Sequence, residues 1–137
     1  MPRPRHGRTA RLHDHVIDCA RPAATARFWS AALDDYAIAP YDDAEPARLR
    51  AQGIPGPEND PTVLVEPRGG GPRLWCQLVP KPKRVKNRLH LDLAATDPES
   101  ELGRLTTLGA TLVTRHEDHW VLADPEGNEF CLFPSPS

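Results

Sequence analysis

Residues 88–109 read RLHLDLAATDPESELGRLTTLG, and this stretch decides the fold. Leu89 to Ala94 alternate apolar with polar, the period of a half-buried strand. Asp97-Pro98 then supplies a helix cap followed by proline at the first helical position, and Gly109 supplies the stop. The same grammar stands 76 residues earlier. There LHDHVIDC (12–19) alternates less strictly, Arg21-Pro22 follows, and PAATARFWSAAL predicts a helix. Pro98 maps onto Pro22, Leu93 onto Ile17, His90 onto Asp14 and Leu105 onto Trp29, without a gap.

Each helix is followed by short runs of strand character, 36–39, 62–66 and 73–79 in the first half and 110–115, 120–123 and 129–133 in the second. Turn residues separate them, PRGGGP at 67–72 and DPEGN at 124–128. The expected fold is therefore α+β: two βαβββ modules whose strands form a curved mixed sheet, a cup with helices on the outside. Module one spans 12–80 and module two 87–134 of a single domain, 12–134. Residues 1–11, with Arg3, Arg5, Arg8 and Arg11, read as a flexible basic arm. An insertion at 42–60 is expected to hold a short helix in 45–53.

Composition sets the outer limits. At 137 residues and 39% hydrophobic, the chain fits one domain. Its 16 prolines argue against a helical bundle and for short elements joined by stiff turns. No apolar stretch nears the roughly 18 residues of a membrane span, and no hydrophobic segment follows the N-terminal arginines, so a cytoplasmic protein without membrane contact is expected. Cys19, Cys76 and Cys131 lie in separate apolar runs and read as buried, reduced thiols. Lys81, Lys83, Arg84, Lys86 and Arg88 form a basic run, but the net charge is -2 and no aromatics interleave. That favours a linker over a nucleic-acid surface. Gly69 to Gly71 lacks a following lysine and helix, so it is a turn, not a phosphate loop.

Strand parity assigns faces. Leu89, Leu91 and Leu93 should pack on the second helix, leaving Arg88, His90, Asp92 and Ala94 on the other side. In the first module His13, His15, Ile17 and Cys19 should face the helix and Asp14, Val16 and Asp18 the opposite side. Leu74, Cys76 and Leu78 should point inward, against Arg73, Trp75 and Gln77. Phe130 and Leu132 should do likewise, against Glu129, Cys131 and Phe133. The polar faces would line a common cleft, in which Trp75, Arg88, Asp92, Trp120 and Phe133 would contact a small molecule. His90 is either a strand histidine satisfied by Asp92 or Gln77, or a ligand or acid–base group. Asp14 is the next candidate base. His116 and His119 sit at a hairpin tip and are not favoured as metal ligands.

These features together, with GPRLWCQLVPKPKRVKNRLHLDL followed by WVLADPEGNEFCLF, resemble the glyoxalase-like branch of the vicinal oxygen chelate superfamily, also labelled glyoxalase/bleomycin resistance. The resemblance covers about 12–134. It implies one divalent metal, zinc, nickel, manganese or iron, held by an opening and a closing strand residue of each module. By position these are Asp14, Gln77, His90 and Cys131, where histidines and glutamates are usual. Two functions follow from the resemblance: a metal-assisted lyase or isomerase, with His90 and Asp14 also available for acid–base chemistry, or a metal-free protein that binds or sequesters a drug-like molecule. A homodimer is within the same expectation.

Overall fold

The computed structural model describes residues 12–41, 56–87 and 89–135. The basic arm, the helix expected in 45–53 and Arg88 lie outside them. Two four-stranded mixed sheets carry the chain. The first comprises β1 (Asp14–Cys19), α1 (Pro22–Ala32), β2 (Tyr36–Ile38), β3 (Thr62–Pro67) and β4 (Arg73–Leu78). The second repeats this with β5 (Leu91–Ala95), α2 (Pro98–Leu108), β6 (Thr111–Arg115), β7 (Trp120–Ala123) and β8 (Glu129–Pro134). The strand orders, β1-β4-β3-β2 and β5-β8-β7-β6, are the same. In each module the opening strand runs parallel to the closing one, because the helix returns the chain across the sheet, while the remaining pairs are antiparallel hairpins.

Both helices begin with proline. Asp97 caps α2 by accepting from the Ser100 amide at 3.2 Å, and Gly109 ends it at a φ of 120° that a side chain resists. A Cβ at Gly109 would also stand 3.2 Å from the Pro125 ring, so the helix end and the β7–β8 turn fit closely.

One core joins the two modules. Trp29 and its repeat mate Leu105 are both sealed from solvent, as are Val63, Val65, Cys76, Leu122 and Phe130. Trp29 lies edge-on to Phe28 and to Phe130, at 5.1 Å in each case, so the α1 tryptophan fills space under the second sheet. Arg104 of α2 donates to the Ala31 and Ala32 carbonyls at 2.7 and 2.9 Å, satisfying acceptors that the end of α1 leaves unpaired. Glu101 holds that guanidinium at 2.6 and 2.7 Å.

Parity holds for Leu74, Cys76, Leu91, Leu93, Phe130 and Leu132, which point into or pack against the core. It fails at strand ends. Leu89 precedes β5 and Leu78 closes β4, and both are exposed. His13 precedes β1 and turns its ring to Asp14 in solvent. Alternation constrains a side chain only where the ladder holds the backbone, which accounts for Leu89 and His13, whereas Leu78 stays paired with Cys19 and is exposed at the end of its strand.

Candidate functional site

The sheet faces turned away from the core carry the polar residues. On the first, β1 and β4 run parallel with Asp14 beside Arg73 and Val16 beside Trp75. Four donors converge on the Asp14 carboxylate. Arg73 Nε and Nη2 donate at 2.9 and 3.0 Å and Trp75 Nε1 at 2.8 Å, and His13 Nδ1 stands at 2.9 Å. The guanidinium also lies over the Trp75 ring, 5.5 Å from its centre. Arg73 first, then Trp75 and His13, hold the Asp14 carboxyl far below the usual carboxylate range against the opposing effect of desolvation.

That depression has a sign for stability. In the unfolded chain Asp14 titrates near the ordinary value of about 3.9. Its folded-state contribution is complete above that pH and is lost progressively as the pH falls below it towards the lower folded value. Asp14→Asn is expected to flatten the acid side of the stability curve, read as urea midpoints at descending pH. An acid slope unchanged from wild type would show that the carboxylate is unpaired in solution.

On the second module, Asp92 and Cys131 are register partners on β5 and β8. His90 stands two residues before Asp92, just ahead of the strand, with Nε2 3.1 Å from Asp92 Oδ1. The donor atoms of His90, Asp92 and Cys131 all lie within 4.8 Å of one another. Burial and then Asp92, which accepts a hydrogen bond from the thiol, push the Cys131 thiol up from its ordinary range, so it rests protonated. Cys76 is pushed up to about 12, chiefly by burial, and all three cysteines are free and buried, as structural thiols are.

Phe133 shares the outward face of Cys131 and stacks on His119 at 4.7 Å, which stacks in turn on His116 at 4.7 Å. Trp120 pairs in register with Leu132 and packs against the core, so it faces the other way from Phe133. Arg115 covers its ring at 4.8 Å. Gln77 is exposed near the end of β4, and its carbonyl accepts from the Cys19 thiol at 3.6 Å.

Two hollows lie beside the His90–Asp92 pair, one lined by His90 and the other by Asp92. The smaller, about 250 Å³, lies between β1 and the start of β5, lined by His15, Asp18, Asn87, His90 and Glu129 over a floor that includes Trp29 and Phe130. The larger, about 820 Å³, opens between the end of α1 and β5, where Asp92 reaches it. Much of its charged wall, Glu101 and Arg104, is engaged in structural pairs. The smaller hollow sets its polar groups over an apolar floor, the make-up of small-molecule pockets. The linker closes one side of it. Lys83 Nζ lies 2.6 Å from Glu129 Oε1, and Asn87 binds both the Glu129 carboxylate and its carbonyl. Nothing in the basic run signals that anchoring, because Glu129 is 42 residues away.

The metal set implied by position therefore divides. His90 and Cys131 come together with Asp92, while every hydrogen-bond and ion-pair partner described for Asp14 is in its own module. An ion bound across both modules would have to share the Asp14 carboxylate with Arg73, Trp75 and His13 and would stand beside the positive charge of the guanidinium. The residues present do not fit a four-ligand centre.

A pair of βαβββ modules with these parallel and antiparallel pairings defines the vicinal oxygen chelate fold. Residues 14–133 match the Glyoxalase-like domain family, and the chain belongs to that family. A solved member of the glyoxalase/bleomycin resistance protein/dioxygenase superfamily from Sphaerobacter thermophilus DSM 20745 is 18% identical, with a TM-score of 0.60 over 93% of this chain and 98% of that one. A glyoxalase/bleomycin resistance protein/dioxygenase family enzyme from Burkholderia phytofirmans PsJN gives 12% identity and a TM-score of 0.65 over 91% and 98%. The trypanothione-dependent glyoxalase I of Leishmania major gives 13% and 0.60 over 92% and 87%. At such identities the likeness shows the fold alone. No curated protein matches the sequence significantly. Among the described residues no helix is long and apolar enough to cross a membrane.

Proposed function

We propose that this glyoxalase-like chain binds a small, oxygen-rich or aromatic molecule and sequesters it, a reading in keeping with the words bleomycin resistance in the names of its structural neighbours, without a metal centre spanning both modules. The state of Asp14 carries this reading. At the position where the resemblance implies a metal ligand, the carboxylate is consumed by Arg73, Trp75 and His13. The result is a fixed guanidinium–indole pair next to Val16, which lines the smaller hollow, and so a surface at its edge suited to a flat, oxygen-bearing ligand. A lyase or isomerase built on a four-ligand centre would have to share that carboxylate with these partners.

The test has two arms. Titration with metal-free bleomycin, followed by tryptophan fluorescence, is expected to give saturable quenching, with affinity about tenfold weaker in Trp75→Phe, the scale of one aromatic contact. Asp14→Asn is expected to leave the affinity for Mn²⁺ and Ni²⁺ unchanged by isothermal titration. Abolition of their binding by Asp14→Asn would overturn the reading in favour of the module-spanning metal.

A further inference from the structure

We infer that the second module by itself holds a zinc site, formed by His90, Asp92 and Cys131, with the fourth position open to solvent. This goes beyond the binding reading above and does not depend on it. It also departs from the four-residue set implied by position, since Asp92 replaces both residues of the first module.

Tetrahedral zinc takes sulfur at about 2.3 Å and nitrogen or oxygen at about 2.0–2.2 Å, so its ligand atoms stand roughly 3.3–3.8 Å apart. His90 Nε2 and Asp92 Oδ1 are already 3.1 Å apart, and the Cys131 sulfur completes a triangle no edge of which exceeds 4.8 Å. Closing that triangle needs a shift of about 1 Å at most. His90 can supply it, because it precedes β5 rather than being held in the ladder. Asp92 and Cys131 are fixed as register partners by the parallel β5–β8 pairing.

The His90 and Asp92 side chains are 45% and 58% exposed, whereas Cys131 is 8% exposed, so an ion would reach the sulfur through the two outer ligands. The Cys131 thiol now donates to Asp92, and His90 Nε2 stands 3.1 Å from the same carboxylate. On metal binding the thiol proton leaves to solvent, a sulfur–zinc bond forms, and the Asp92 oxygen exchanges its hydrogen-bond contacts for the ion. One thiolate, one carboxylate and one neutral imidazole balance the double charge of the ion. A thiolate with an imidazole selects zinc, and cobalt as its spectroscopic substitute, over the hard ions Mg²⁺ and Mn²⁺. Three protein ligands with a free fourth position is the arrangement of zinc sites that meet a substrate oxygen or water.

The experiment is Co²⁺ titration of the full, tag-free reduced chain, followed by absorption. One equivalent of Co²⁺ is expected to produce thiolate-to-cobalt charge-transfer absorption in the near ultraviolet, and Zn²⁺ to abolish it by displacement. Cys131→Ser should lose that absorption. His90→Ala, a change at an exposed position that leaves the core untouched, should weaken Co²⁺ binding by at least about tenfold, the smaller end of what removing even an outer partner of a metal site does. Asp92→Asn should weaken it comparably, and Asp14→Asn should leave it unchanged. Absence of the absorption in the wild type overturns the inference. So does its persistence in Cys131→Ser, which would assign it to Cys19 or Cys76, or an undiminished affinity in His90→Ala.

Discussion

Trp29→Ala is expected to remove about 3–5 kcal/mol of folding stability, the range for truncating a large buried aromatic. Trp29 is 1% exposed, and its ring meets Phe28 in its own helix and Phe130 in the other module. Truncation opens a cavity at the joint between the modules, where neither sheet can collapse without pulling away from the other. Domains of this size hold about 5–15 kcal/mol in total, so the variant should approach half-unfolding under mild conditions. Urea denaturation followed by circular dichroism measures it. A loss under about 1 kcal/mol would mean that the α1 tryptophan does not bridge the modules in solution. Trp29→Phe keeps most of the packing and loses only the indole hydrogen bond, so its cost should be about 1–3 kcal/mol.

Asp124→Ala is expected to cost nearly as much, about 3–5 kcal/mol, although it deletes only a carboxylate in a turn. Asp124 is 3% exposed. Its Oδ1 accepts from the Glu126 and Asn128 amides, each at 2.9 Å, and its Oδ2 accepts from Trp29 Nε1 and Asn128 Nδ2, each at 3.1 Å. Alanine would leave these buried or half-buried donors without an acceptor, each a cost of about 1–3 kcal/mol when water cannot replace it. Asp124→Asn preserves the shape but turns one acceptor into a donor aimed at other donors, so it should recover little. Urea midpoints for both variants, completed by the Trp29→Phe/Asp124→Asn pair, test the linkage. Non-additivity of about 0.5–3 kcal/mol is expected for groups in direct contact, and strict additivity would break it.

These two residues also show where sequence reading stops. Trp29 was legible on the first helix as the repeat mate of Leu105, and DPEGN was legible as a hairpin turn. Their bond across 95 positions was not. The repeat offset placed both helices, both opening strands, the buried pair Trp29/Leu105 and the partly buried pair Ile17/Leu93 correctly. Strand alternation placed His90, Asp92 and Cys131 on outward faces. It did not distinguish which polar residues on those faces would satisfy one another. Trp120 illustrates the same limit: aromatic character suggested a wall beside Phe133, whereas register with Leu132 turns it to the core.

The sequence by itself determined the two-module α+β architecture and its family, because periodicity, caps and turns are local and act through the nearest few residues. Tertiary structure alone decided the partners: Asp14 joined to Arg73 and Trp75, Asp92 set between His90 and Cys131, Trp29 hydrogen-bonded to Asp124. A carboxylate or imidazole binds the nearest complementary group, and which group is nearest depends on strand register and module packing that no short-range pattern encodes. The opening stretch therefore specified that His90 and Asp92 share a strand face. Only the fold brought a buried cysteine, 41 residues on, into reach of them.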